Sequence, residues 1–140
     1  MNKQRSLTVA SLIMAVSLMA GCASTTDLSR IPVEISEFGQ VSTPRQQTLY
    51  TYAKDVPGSG RSSCSDACAR TWSPFLAGPQ DAPSGDFSVI AREDGSQQWV
   101  YKGQPLYFFS GDAQKVDAYG SKGDEFWHVL RYPYISGHGA

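Results

Sequence analysis

The sequence predicts a mostly β protein: a small antiparallel β domain of two related halves with one short helix. Three observations carry this prediction. Apolar residues recur at every second position in several short stretches, loops rich in Gly, Pro and Ser separate those stretches, and one aromatic-acidic motif is written twice. Once a leader of 21 residues is set aside, the other 119 of the 140 residues are enough for one modest core.

The first residues have the composition of an export signal. Lys3 and Arg5 precede an uncharged apolar stretch over residues 7–20, which is too short to span a bilayer. The small-small-Cys junction that ends at Cys22 resembles a bacterial lipobox. On that resemblance Cys22 receives a diacylglyceryl thioether, residues 1–21 are removed, and the new amino terminus is acylated with a fatty acid such as palmitate. The alternative is an ordinary secretory signal with an incidental cysteine.

Residues 22–46 are predicted to hold the lipid-anchored tether and the first strand. Ala23 and Ser24 follow the lipid site with no Asp beside it, a pattern that indicates the outer membrane, facing the periplasm, in a Gram-negative cell envelope. Without the leader, ten bases stand against thirteen acids and form no Lys/Arg run. The membrane, reached through the lipid, is therefore an expected partner, and nucleic acid is not.

The first strands and the helix follow in order. In "IPVEISEFG", Ile31, Val33 and Ile35 alternate with polar positions, and "QTLYTYA" is predicted as a second strand. After the loop "KDVPGSGRSS", the segment 64–72, "CSDACARTW", is the predicted helix, capped by a preceding serine and ended near Pro74.

The second half of the chain carries the clearest β pattern. The strands "FSVIAR" and "QQWVYK" flank an Asp94-Gly95 turn, and "PLYFFS" completes a predicted three-stranded meander over residues 87–109. A last strand is expected in "FWHVLRY", and residues 136–140 form a flexible tail in this interpretation.

One motif is doubled, as "TLYTYAKD" and "PLYFFSGD". Each copy places two aromatic residues on one face of a strand and a carboxylate three positions later, and a Trp follows each Asp at a similar distance. We expect each Asp to accept backbone N–H bonds and fix a turn. A catalytic pair of carboxylates is the alternative, although no base accompanies either one. The motif residues are Tyr50, Tyr52 and Asp55 in the first copy and Tyr107, Phe109 and Asp112 in the second.

This doubled motif resembles a bacterial family described as predicted lipoproteins with a Yx(F/W/Y)xxD motif, or secreted repeats of unknown function. "CSDACARTWSP", "EDGSQQWVYKGQPLYFFSGD" and "GDEFWHVL" resemble the elements of that family in the same order. The resemblance implies a repeat domain over residues 47–135 and an exported location, with no established activity. Ser73 and the loop "AQKVDAYGSKG" depart from the family pattern.

Two cysteines remain if lipid occupies Cys22. In an oxidising compartment we expect Cys64 and Cys68 to form a disulfide, closing a loop of five residues. The alternative is a copper site, because two thiolates and an imidazole from His128 or His138 suit Cu(I).

The function predicted from these observations is that of a cell-envelope lipoprotein acting as a non-enzymatic binding or structural module. Its expected partner, besides the membrane, is an envelope protein or a small ligand, and no cofactor is predicted. The alternative is a periplasmic thiol-redox or copper-handling protein that uses the two cysteines. An enzyme is not expected, because the sequence offers no nucleophile paired with a base.

Overall fold

A computed structural model describes residues 28–132 of the chain. The leader, the lipid site Cys22, the predicted tail and His138 lie outside these described residues. No helix between residues 28 and 132 has the length and apolar character needed to cross a membrane.

Short strands dominate the described part of the chain, as the sequence predicts. The strands and the one α-helix are β1 (Glu34–Ile35), β2 (Val41–Ser42), β3 (Tyr50–Tyr52), α1 (Asp66–Thr71), β4 (Trp72–Pro74), β5 (Phe87–Ala91), β6 (Gln97–Tyr101), β7 (Gln104–Pro105), β8 (Tyr107–Phe109) and β9 (Trp127–Val129). Single 3-10 turns cover Leu28–Arg30 and Tyr119–Ser121. The predicted fold class, mostly antiparallel β with one short helix, is confirmed.

The strands form three antiparallel sheets. A two-stranded sheet joins β1 to β2, a three-stranded sheet has the order β5-β6-β7, and the central sheet has the order β4-β8-β3-β9. We call residues 28–77 the first half, residues 78–86 the linker and residues 87–132 the second half. The central sheet takes β4 and β3 from the first half and β8 and β9 from the second.

The hairpin of β5 and β6 forms where the Asp-Gly pair predicts it. Gly95 has φ of 82° and its N–H donates to the carbonyl of Arg92, a left-handed conformation that glycine adopts without strain. The carboxylate of Asp94 accepts the hydroxyl and the backbone N–H of Ser96, and these bonds lower the pKa of Asp94.

The predicted third strand of the meander is divided between two sheets. β7 pairs with β6, but Tyr107–Phe109 pairs with β3 and β4 in the central sheet. The prediction of one continuous strand over "PLYFFS" was therefore wrong. Leu106 lies at the division, where its N–H donates to the carbonyl of Trp99 and its own carbonyl accepts the N–H of Phe75.

The helix is shorter than the sequence predicts. It begins at Asp66, its N-cap is Ser65 without a side-chain bond, and Cys64 lies before it. Trp72 is not a helical residue but starts β4, where it pairs with Phe109. The long-range pairing of Trp72 with β8 outweighs the local helical pattern, a tertiary effect that propensity alone does not contain.

Two apolar clusters make up the core, and each Leu-Tyr pair of the doubled motif is divided between them. Leu49 and Leu106 lie in the larger cluster, whereas Tyr50 and Tyr107 lie in the smaller one. Neighbouring strand residues point to opposite faces, so one dipeptide reaches both clusters. The buried members of the larger cluster are Ile31, Val33, Val41, Leu49, Phe75, Phe87, Trp99, Tyr101, Leu106 and Leu130.

Candidate functional site

The doubled motif meets itself in the middle of the central sheet. Tyr50 of β3 stands directly opposite Tyr107 of β8 in the antiparallel register. Both tyrosines have no exposed surface. The two motif copies are therefore neighbours in space although 57 positions separate them in the chain.

The first carboxylate holds the second tyrosine. The hydroxyl of Tyr107 donates to Asp55 Oδ2 over 2.6 Å, and the other carboxylate oxygen accepts the N–H of Ser63 over 2.6 Å. Because the phenol proton points at the carboxylate, the Ser62 hydroxyl is the donor in its 2.7 Å contact with the Tyr107 oxygen. Asp55 is only 3% exposed, so these bonds form away from water.

The second carboxylate holds the first tyrosine in the same way. The hydroxyl of Tyr50 donates to Asp112 Oδ2 over 2.5 Å, and Asp112 Oδ1 accepts the N–H of Tyr119 over 2.9 Å. The N–H of Gly120 donates to the Tyr50 oxygen over 3.3 Å. Each half thus supplies the tyrosine for the carboxylate of the other half, and we call these two bonds the crossed pairs.

The expectation that each Asp fixes its own turn is met only in part. Each accepts a backbone N–H, but from a residue seven or eight positions later, and its second oxygen binds the tyrosine of the other half. Spacing within one motif copy does not show that the partner hydroxyl comes from the other copy. The signal that was available is the duplication itself, since two related halves of one chain pack about an approximate two-fold axis.

Burial and the crossed pairs determine the chemistry of the two hydroxyls. Removal from water and the hydrogen bond to Asp112 raise the pKa of Tyr50 well above its usual value, and burial with the bond to Asp55 raises that of Tyr107. Both phenols therefore stay protonated at neutral pH and donate hydrogen bonds. This arrangement stabilises the fold and makes neither phenol a base.

A ladder of four aromatic rings runs beside the crossed pairs. Trp72 and Trp127 stack with ring centroids 3.7 Å apart and planes at 3°. Tyr52 stacks on the outer face of this pair against Trp127 at 4.2 Å, and Phe109 contacts Trp72 at 4.7 Å. Every neighbouring pair in the ladder joins one half to the other. The second aromatic position of each motif copy is thereby explained as a contact with the tryptophan of the other copy.

The structure joins Cys64 and Cys68 in the predicted disulfide, with Cα atoms 5.2 Å apart. That separation lies in the middle of the range for disulfides, because Cys64 precedes the helix and does not share a helical face with Cys68. Cys64 is fully buried beside Trp72, and Cys68 is half-buried. Ser62 and Ser63, which bind Tyr107 and Asp55, directly precede the disulfide loop, so the bridge fixes the chain next to one crossed pair.

Arg92 is a site residue that sequence reasoning missed. Its guanidinium donates to Ser62 Oγ over 3.1 Å, to Gln98 Oε1 over 2.6 Å and to the Cys64 carbonyl over 3.0 Å. It therefore joins the disulfide loop of the first half to the hairpin of the second. Its position at the end of a predicted strand contained no sign of this role.

The three residues of the predicted copper alternative are not gathered in one place. His128 lies on β9, where it pairs with Thr51 and is exposed. Within residues 28–132, no three His, Cys, Asp or Glu side chains are close enough to hold a metal ion.

Two surface depressions lie outside the crossed pairs. An open one of about 620 Å³ is lined by Ser121 and by residues 123–126. A more apolar groove of about 510 Å³ is lined by Pro32, Thr43, Pro44, Arg45, Gln47, Pro74, Phe75, Leu76 and Phe108. The motif carboxylates line neither of these two depressions.

The comparisons with known proteins match this two-fold arrangement. A family model described as a secreted repeat of unknown function matches residues 39–75 and again residues 88–131. Neither the curated proteins nor the solved structures contain a match to the chain. The two matched segments contain the two motif copies, one in each half.

Proposed function

The chain belongs to the family of secreted repeats of unknown function, and from that premise we propose that it is a bacterial cell-envelope lipoprotein that acts as a non-enzymatic binding or structural module. The family implies an exported protein. The lipid anchor at Cys22, the outer membrane and the absence of catalysis are parts of the proposal.

The observation that carries the non-enzymatic part is the use of the motif side chains inside the protein. Both carboxylates accept a tyrosine hydroxyl and a backbone N–H, and both tyrosines are buried. A general acid or base must reach a substrate proton, and these groups are already bonded to each other. The motif side chains are thus used inside the domain, which leaves its outer surface as the place for a partner or ligand.

The lipid anchor is tested by the mass and location of the native protein. We expect the wild-type protein to lose residues 1–21, to gain the mass of a diacylglyceryl group and an amide-linked acyl chain, and to fractionate with membranes. The Cys22→Ser variant should carry neither the diacylglyceryl group nor the amide-linked acyl chain and should keep its folded domain intact. An unmodified Cys22 in the mature wild-type protein would contradict the anchor.

The structural role of the motif is tested separately from the anchor. Tyr50→Phe and Tyr107→Phe should lower the free energy of unfolding of the Cys22→Ser protein, while a change at an exposed residue such as Glu93→Ala should lower it much less. If the tyrosine variants are as stable as the control, the crossed pairs do not hold the domain together and the motif needs another function.

The second candidate is a thiol-redox protein, which the disulfide favours, or a copper-handling protein, for which residues 28–132 gather no ligand set. Cys68 is half-buried and so open to attack by a small thiol, although Cys64 is not. Copper analysis and thiol titration of the exported protein distinguish the candidates. Stoichiometric copper, or a disulfide reduced at potentials well above about −300 mV, would favour redox chemistry over a structural bridge.

A further inference from the structure

The contact between the two halves has the symmetry of a homodimer interface. The carbonyl of Leu49 accepts the N–H of Leu130, and the carbonyl of Leu106 accepts the N–H of Phe75. Tyr50 faces Tyr107 across the centre of the sheet. Two further matched sets follow. The Ala53 N–H donates to the Phe126 carbonyl as the Ser110 N–H does to that of Thr71, and the Val41 N–H donates to the Leu130 carbonyl as the Trp99 N–H does to that of Phe75.

In the described residues, neither motif strand pairs with a strand of its own half in the central sheet. β3 lies between β8 and β9, and β8 lies between β3 and β4. The crossed pairs and the whole aromatic ladder also run between halves. Each half therefore presents a surface whose partner is the other half, whether that half belongs to the same chain or to a second copy.

One covalent connection keeps the partner within the same molecule. The disulfide lies inside the first half, so only the linker, residues 78–86, joins the halves. Pro79 and Gln80 are exposed, and a turn in which Asp81 Oδ2 accepts the Gly78 N–H holds the linker together. The linker contributes no strand to the central sheet.

We propose that the same interface forms between two copies of this chain, each copy giving its second half to the first half of the other. The exchanged dimer contains two domains, both with the contacts of the monomer, and differs from it only in the path of the linker. In the folded domain the linker is bonded to the second half, from Trp99 Nε1 to Asp81 Oδ2 and from the Lys102 N–H to the Asp86 carbonyl, so exchange requires unfolding. In the unfolded chain a short linker gives an effective concentration of about a millimolar. Exchange should therefore occur when chains fold together at comparable concentration.

The two tryptophans of the ladder make the exchange measurable. Trp72 belongs to the first half and Trp127 to the second, and their parallel stack is expected to give an exciton couplet in circular dichroism. A Trp72→Phe chain and a Trp127→Phe chain each lack the stack. Only an exchanged dimer of the two variants joins the intact Trp72 of one chain to the intact Trp127 of the other.

The experiment unfolds the two variants together and refolds them at about 1 mM, using Cys22→Ser chains. We expect a dimer in size-exclusion chromatography and up to about one quarter of the wild-type couplet, since half of randomly formed dimers are mixed and each holds one stacked pair. Mixing the folded variants without unfolding is the control and should give little signal. Monomers without a couplet after refolding would overturn the proposal.

A second measurement covers the case in which a tryptophan variant fails to fold. A protease site inserted after Gln80 allows the folded wild-type domain to be cut in the linker. The two fragments should stay together, and after denaturation they should recover the couplet with a yield that rises with concentration. Fragments that separate, or that each refold alone, would also overturn the proposal. An uncut protein carrying the same insertion controls for the insertion itself.

Discussion

Asp55 and Asp112 bind the motif tyrosines by equivalent bonds, but the two halves build the surroundings of these carboxylates differently. Asp55 is 3% exposed and lies against a loop closed by the disulfide and bound by Arg92. Asp112 is half-buried and accepts its backbone bond from Tyr119 at the start of a 3-10 turn. The same bond between tyrosine and carboxylate is therefore held by a disulfide loop next to Asp55 and by a 3-10 turn next to Asp112.

The largest expected difference between the two halves is in the stability lost when each carboxylate is removed. Asp55→Ala is expected to lower the free energy of unfolding by about 3 kcal/mol and Asp112→Ala by about 1.5 kcal/mol, because charged hydrogen bonds contribute more where water cannot replace them. Chemical denaturation of both variants checks the values. Equal losses would show that the two surroundings are energetically equivalent.

Removal of the disulfide should affect one half first. The double change Cys64→Ser and Cys68→Ser is expected to cost about 2 kcal/mol, the chain-entropy value for a five-residue loop. Hydrogen exchange should become faster at Ser63, which binds Asp55, before it does at Tyr119, which binds Asp112. Uniform acceleration in both halves would contradict a local role of the bridge.

Alkaline pH should lower the free energy of unfolding through both tyrosines of the crossed pairs. The pKa of Tyr50 and of Tyr107 is raised in the folded protein, so the folded state keeps protons that the unfolded chain releases above about pH 10. Stability is then complete below that pH and falls above it, by about 1.4 kcal/mol per pH unit for each tyrosine. Denaturation of the wild type and of Tyr50→Phe between pH 9 and 12 should show a smaller slope for the variant.

The smallest expected effect is at a pair of equivalent backbone bonds between the halves, one formed by two glycines and the other by two residues that are not glycine. The Gly58 N–H donates to the Gly103 carbonyl, and the equivalent bond runs from the Val116 N–H to the Gln46 carbonyl. All four residues have positive φ, which is strained for the two that are not glycine. Val116→Gly should therefore stabilise the protein by up to about 1 kcal/mol, the strain released less the entropy cost of glycine.

Thermal unfolding of Val116→Gly measures that gain. The opposite change in the other half, Gly103→Ala, should destabilise the protein, since a Cβ there would lie 2.6 Å from the Gly58 nitrogen. A destabilised Val116→Gly variant would show that the exposed valine side chain contributes more than its backbone strain costs.

Much of the fold could be predicted because its signals are local. Alternation marked the strands around Val33 and Tyr50, and the Asp-Gly pair placed the β5–β6 turn. The register of the central sheet could not be predicted in this way, since it depends on contacts between residues 33 to 79 positions apart. Trp72 is the clearest example. The residues before it are helical, but long-range pairing with β8 places Trp72 itself in a strand.

The candidate site was predicted as a set of residues and not as a set of bonds. The duplication singled out all six motif residues, and the cysteine count gave the disulfide. The tyrosine partners of the two carboxylates and the role of Arg92 depend on how the halves pack, and one sequence does not contain that packing. The packing of the two halves explains why the motif occurs twice: the tyrosine of each copy binds the carboxylate of the other.

The order of strands in the central sheet also governs when the chain can fold. β3 lies between β8 and β9, so one of its edges has no strand partner until the chain has been delivered as far as Phe109, and the other has none until Val129. Such non-local closure delays folding. A chain with this topology can complete its central sheet only after nearly all of residues 28–132 are present, so an early segment of it cannot reach the final fold by itself.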